Sequence, residues 1–266
     1  MKRIGSILLA TFAFQGLPLA QADEIVTNPH RTDGFGSQFQ TIIYSVIYAE
    51  LNNKQYCYTP FVEMEHNYDN DVDFIKKKEK LINFIDNFEI NKDLSIQSIR
   101  RDLDFIAFFE DNLIACANSS SLKKIKKNFL LNKYKEDYFN SKNLNIAVHI
   151  RRPNPHDSRI LGTNAPDSVY IKIIDLLREL YSSKSPLFHI YSQGNVEAFN
   201  NIFNADDIVF HINESIEQSF TALVLADVLV TSTSSFSYTA GILSEGVVYY
   251  FPFWHPPLPN WIAIDV

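Results

Sequence analysis

From Asn145 onward, short unbroken apolar runs alternate with segments whose apolar positions recur every three or four residues. The runs Asn145–Ile150, Leu187–Tyr191, Ile208–His211, Val228–Thr231 and Val247–Phe251 predict strands buried on both faces. Helices are predicted between them at Asp167–Tyr181, Val196–Phe203, Ser215–Leu225 and Phe236–Leu243. Ser215 and Gln218 have capping-box spacing. Pro166 and Asp167 open a helix whose Val169, Ile173, Leu176, Leu177 and Leu180 make one apolar stripe. Strand–helix repetition of this kind implies a parallel sheet wrapped by helices. Such folds bind ligands at the carboxyl ends of their strands, so the chemistry is to be sought there.

The first half is less regular. A short strand is predicted at Glu24–Thr27, then a helix at Phe39–Leu51 with Ile42, Ile43, Val46, Ile47 and Leu51 on one face. A strand at Tyr56–Tyr58 is closed by Pro60, and helical patterns cover Ile75–Phe88 and Ser119–Tyr138. The charge run Lys76–Lys80 and the lysine pairs of the later helix read as solvated faces. Texture changes at Ser141-Lys142-Asn143, which sets the expected division into an N-terminal domain, 23–143, and a C-terminal domain, 144–266. At the extreme N-terminus, Lys2 and Arg3 precede the apolar run Ile4–Ala20 and an Ala20-Gln21-Ala22 cleavage pattern. This layout predicts a secretory signal peptide over 1–22, and the run is too short for a stable membrane span.

Composition narrows the classes of function. The 266 residues are 46% apolar and 21% charged, as in a globular chain. A net charge of −7 gives no general attraction to nucleic acid, although local cations still decide whether a small anion binds. Cys57 and Cys116 form neither a disulfide scaffold nor a metal-ligand pattern. They read as buried thiols, with one disulfide as the alternative in an exported chain.

Three segments at predicted strand ends carry chemistry. His149-Ile150-Arg151-Arg152 follows the first strand of the regular half, and adjacent guanidiniums there suit bidentate binding of a diphosphate. Thr231-Ser232-Thr233-Ser234-Ser235-Phe236-Ser237 joins a strand to a helix, where hydroxyls and a helix N-terminus present donors to an anion. Asp33-Gly34-Phe35-Gly36-Ser37-Gln38 joins the first strand to the first helix, and its glycines permit close backbone approach. It is not the dinucleotide fingerprint, because Phe39 stands where a third glycine belongs.

Taken in chain order, the three segments resemble the fucosyltransferase superfamily, which includes α-1,2- and α-1,6-fucosyltransferases and protein O-fucosyltransferases. The family's Gly-x-Gly-x-Gln segment is matched by Gly34–Gln38, its His-x-Arg-Arg by His149–Arg152, and its Ser-Ser-Phe-Ser by Ser234–Ser237. The α-1,2 branch is similar also in Ala226-Asp227, in Phe188–Ser192 and in the closing Pro252-Phe253-Trp254. The likeness covers 24–51 and 144–256. The chain departs from the pattern at Pro153-Asn154, Ser192-Gln193-Gly194 and Tyr238-Thr239, where the family carries acidic or aromatic residues.

The resemblance implies a GT-B-like α/β architecture, two Rossmann-like domains facing a cleft. It implies an inverting, metal-independent glycosyltransferase without a cofactor, moving fucose from GDP-fucose to a hydroxyl of a glycan or protein acceptor. Arg151 and Arg152 would bind the β-phosphate, with His149 supporting them or touching the phosphate. Ser234, Ser235 and Ser237 would hold phosphates and sugar. Gly34, Gly36, Ser37 and Gln38 would close the donor site from the first domain. The base is left open among Asp33, Glu65, His66 and Asp157, with Glu65–Asp69 the polar cluster of interest and no metal expected there. Alternatives are another nucleotide sugar on the same scaffold, or an inactive secreted carbohydrate-binding homologue. A signal peptide implies the ER or Golgi lumen in a eukaryote; for a bacterial chain, export and a cytoplasmic location both stay open.

Overall fold

The computed structural model describes residues 25–90, 100–152, 165–252 and 254–265. The predicted signal peptide, Asp157 and Phe253 lie outside the described residues. Elements follow the chain as β1 (Ile25–Thr27), α1 (Phe35–Leu51), β2 (Gln55–Cys57), α2 (Phe74–Ile82), α3 (Asp102–Asp111), α4 (Leu113–Asn118) and α5 (Ser120–Leu130). They continue as β3 (Leu144–His149), α6 (Asp167–Leu180), β4 (Pro186–Ser192), α7 (Val196–Ile202), β5 (Ile208–Ile212) and α8 (Ile216–Leu225). The last are β6 (Val228–Val230), α9 (Ser235–Leu243), β7 (Val247–Tyr250) and β8 (Ile262–Ala263).

The expected α/β architecture is present. Strands β1 and β2 pair in parallel, and a second parallel sheet has the order β5-β4-β3-β6-β7-β8. From β3 the chain steps outward through β4 and β5, then returns to the other side of β3 for β6 and β7. The order therefore reverses between β3 and β6. That reversal opens a crevice beyond the carboxyl ends of these two strands, the usual ligand position in open parallel sheets.

One apolar core packs α1 with Phe105, Phe109, Phe129, Phe220 and Leu243 from α3, α5, α8 and α9. The other sheet face carries a second core, where α6 and α7 bury Tyr170, Ile174, Leu177 and Phe199 against β3 and β4. Helix α1 was expected to show the core one apolar face. Instead it is buried from Phe35 to Ala49 on nearly every side, because α3, α5 and α9 surround it. Two of its buried polar side chains are answered within the helix: Gln40 donates to Tyr44 Oη at 2.8 Å and Ser45 to the Thr41 carbonyl at 2.8 Å.

Other differences have local causes. The pattern at Ile75–Phe88 stops at Ile82, where Asn83 adopts a left-handed conformation at φ 56° and its amide returns to the Glu79 carbonyl. The later helix likewise ends at Leu130, before left-handed Asn132 at φ 59°. On α6 the buried stripe is Tyr170, Ile173, Ile174 and Leu177, while Leu176 and Leu180 face solvent. The charge run on α2 is a solvated face only in part: Lys76, Lys77 and Lys80 are exposed, but Lys78 and Glu79 turn inward. Lys78 is 2% exposed, lies 2.7 Å from Glu217 Oε1 and sits over the Phe74 ring. Glu79 accepts from Tyr58 Oη at 2.9 Å and from the Phe61 amide at 2.6 Å, and burial raises its pKa. Cys57 and Cys116 are free thiols.

Candidate functional site

A cleft of about 360 Å3 opens at the crevice between β3 and β6 and is walled on its far side by the β1–α1 loop and Glu65-His66. Three sequence segments meet there as their strand-end positions require.

Residues His149 to Arg152 leave β3 at its carboxyl end. Arg151 and Arg152 both line the cleft. Arg152 Nη2 lies 2.5 Å from Asp167 Oδ1, at the start of α6, and its guanidinium covers the Phe199 ring at 4.9 Å. These contacts fix a planar, permanently charged donor at the cleft wall. His149 sits behind them, buried, with Nδ1 2.8 Å from Ser232 Oγ. Burial, aided by the Arg151 charge, pushes its pKa down to about 3, so its imidazole is neutral at physiological pH. It is a brace between the β3 and β6 loops.

The hydroxyl-rich loop after β6 divides its labour. Ser234 caps α9, accepting from the Phe236 amide at 3.3 Å. Ser234 and Ser235 line the cleft with the opening turn of α9. The first amides of a helix lack intrahelical acceptors and carry its partial positive charge, so this tip offers donors suited to an anion on the cleft that Arg151 and Arg152 also line. Ser237, expected to touch the ligand, is fully buried instead. Its Oγ accepts from the Ser232 amide at 3.0 Å and holds the loop's shape. Thr231 is also internal, its hydroxyl accepting from the Phe251 amide at 2.9 Å.

The glycine segment needs a parallel correction. Gly34 and Ser37 line the cleft. Gly36 borders it too, but its small size serves packing: a Cβ there would lie 2.5 Å from both N and Cα of Phe236. Thr239 Oγ1 also donates to the Gly36 carbonyl at 2.9 Å. The tips of α1 and α9 thus meet backbone to backbone. Gln38 is buried and structural, donating to the carbonyls of Asp33 at 2.6 Å and Glu63 at 3.0 Å.

Of the candidate bases, Asp33, Glu65 and His66 line the cleft. Asp33 is engaged by Arg31 at 2.5 Å, which also bonds Asp102 and Ser37. Glu65 is 63% exposed, and His66 Nδ1 lies 2.5 Å from Tyr68 Oη. Among the described residues, no group of three or more histidines, cysteines or acids is arranged to hold a metal ion, and no helix is long and apolar enough to cross a membrane.

Sequence reading missed part of the lining. Ser192 ends β4 and Gln193 follows it, Glu214 follows β5, and Trp254 follows β7. Glu214 accepts from His211 Nδ1 at 2.7 Å, and His211 stacks on Tyr191 with ring centroids 4.5 Å apart. Each lies at or within a few residues of a strand's carboxyl end, so the rule that located the arginines also marks these positions.

No family profile matches the chain, and no curated protein sequence matches it. Among solved structures, fucosyltransferase NodZ from Bradyrhizobium is similar at 13% identity and a TM-score of 0.44, over 87% of this chain and 96% of that one. POFUT1 in complex with GDP is similar at 13% identity and a TM-score of 0.43, over 85% and 97%. ADP-heptose heptosyltransferase II of E. coli is similar at 17% identity and a TM-score of 0.36, and this chain spans only 44% of its length. Likeness at this level assigns neither donor nor acceptor.

Proposed function

We propose that this chain is a glycosyltransferase that binds a nucleotide sugar by its diphosphate and passes the sugar to a hydroxyl acceptor. One observation carries the reading: Arg151, Arg152 and the Ser234–Ser235 tip of α9 line the same cleft, at the point where strand order reverses. When the glycosidic bond to the diphosphate breaks, negative charge grows on the departing phosphate. Arg152, held by Asp167 and Phe199, and the helix N-terminus are fixed beforehand and, with Arg151, stabilise that charge. His149, neutral, holds the two loops in register and takes no proton.

The motif resemblance favours fucose from GDP-fucose as the donor, transferred with inversion and without a metal. The acceptor hydroxyl enters from the side of the β1–α1 loop and Glu65-His66. There Glu65 is open to solvent and His66 is oriented by Tyr68, so either can take the proton, whereas Asp33 is held by Arg31. The test is a hydrolysis and transfer assay across GDP-, UDP-, ADP- and CMP-sugars, with and without EDTA. GDP-fucose turnover unaffected by EDTA is expected. Turnover of the UDP- or ADP-sugar instead corrects the donor, turnover of the CMP-sugar, which has a single phosphate, refutes the diphosphate grip, a strict divalent-ion requirement refutes the metal-free mechanism, and no turnover of any refutes the activity.

A further inference from the structure

The chain has two tryptophans, and they lie in opposite environments. Trp261 is 9% exposed, packed between Tyr238 and Tyr250. Trp254 is 68% exposed and lines the cleft. Ligand sites are commonly lined by aromatic side chains, and a large indole at the mouth of one offers a broad apolar face.

The segment bearing Trp254 is anchored. Tyr238 Oη donates to the Pro256 carbonyl at 2.8 Å, Tyr250 Oη donates to the His255 carbonyl, and His255 Nδ1 lies 2.7 Å from Glu110 Oε1 of α3. Pro256 and Pro257 further restrict its backbone. An aromatic face carried on such a segment loses little freedom when a ligand covers it.

Strand order places this face relative to the diphosphate site. Arg151 and Arg152 follow β3, and Ser234 follows β6. Strand β7, which leads to Trp254, is two positions from β3 on the side away from β4 and β5, about 10 Å at the usual strand spacing. The opposite flank, at the ends of β4 and β5, supplies Ser192, Gln193 and Glu214, groups that hydrogen-bond, beside Tyr191 and Ile216. A nucleoside needs such partners for its base edges and diol. The β7 flank carries Trp254 instead, a flat apolar face of a size that a sugar ring covers. The C–H face of a pyranose complements the electron-rich face of an indole.

We infer that Trp254 is a stacking platform for a sugar ring of the acceptor, and hence that the acceptor is a glycan. The inference rests on the transferase reading above. Its test uses an array of oligosaccharides probed with the full chain in the presence of GDP, followed by titration of the strongest binder. Wild-type, Trp254→Ala and Trp254→Phe proteins are compared, with GDP affinity measured separately for each. Wild type should retain at least one glycan, Trp254→Ala should weaken it by about tenfold or more, and Trp254→Phe should keep part of the affinity. GDP affinity should be the same in all three. Undiminished glycan binding by Trp254→Ala, no glycan bound by wild type, or a parallel loss of GDP affinity would overturn the platform. Failure of wild type to bind GDP at all would instead refute the transferase reading.

Discussion

Gly36 and Phe236 touch backbone to backbone: a methyl group on Gly36 would lie 2.5 Å from the Phe236 nitrogen. The contact joins the start of the first helix to the start of a helix two hundred residues later, at the lip of the cleft. Backbone cannot swing aside as a side chain can. Gly36→Ala should therefore cost about 1–3 kcal/mol, the usual range for overpacking, and lower the melting temperature by several degrees. A thermal melt indistinguishable from wild type would show that the two helix tips are not in contact.

His149 makes stability depend on pH. Its ordinary pKa of 6.5 falls to about 3 in the folded chain, chiefly through burial. Between those values the unfolded chain holds a proton that the folded chain does not. Stability is thus fully present above pH 6.5 and declines as pH falls toward 3, by up to about 1.4 kcal/mol per pH unit. His189, lowered to about 4 for the same reason, acts in the same direction. Urea denaturation at several pH values should show the slope, and His149→Asn should make it shallower. An unchanged slope in that variant would mean that His149 titrates alike in both states.

The serines after β6 should separate by role. Ser235 lines the cleft, so Ser235→Ala should weaken nucleotide binding while leaving the melting temperature near wild type. Ser237→Ala removes the buried acceptor of the Ser232 amide and should destabilise by about 1–3 kcal/mol. Calorimetry and melts on both variants check the split; the reverse assignment would contradict the geometry.

Glu79 is a buried anchor for the segment that leads to Glu65 and His66. Replacing it with Ala leaves the Tyr58 hydroxyl and the Phe61 amide without their acceptor. Glu79→Ala should destabilise by about 1–3 kcal/mol, read as a lower urea midpoint. A neutral effect would place Glu79 at the surface, as its charged neighbours first suggest.

The regular half was legible because each of its strands is a short apolar run between amphipathic helices, and β3 to β7 lie within a residue or two of the predicted runs. Part of the cleft was legible for the same reason, since Arg151, Arg152, Ser234 and Ser235 sit at strand ends. What escaped was whatever depends on the opposing surface. Nothing local to Gly36 says that its neighbour is Phe236, and nothing local to Lys78 says that Phe74 and Glu217 will cover it. Ser237 looked equivalent to Ser235 because spacing along the chain does not reveal which hydroxyl turns inward. Helices α3 and α4 were missed, although Phe105 and Phe109 of α3 belong to the main core.

The central claim is that Arg151, Arg152 and the tip of α9 hold one diphosphate. Isothermal titration with GDP, on wild type and on Arg151→Ala and Arg152→Ala, tests it most directly. Wild type should bind GDP saturably at one site, and each variant should bind it about tenfold or more weakly. Undiminished GDP affinity in both variants, or no binding by wild type to GDP or to UDP, ADP and CDP, would contradict it.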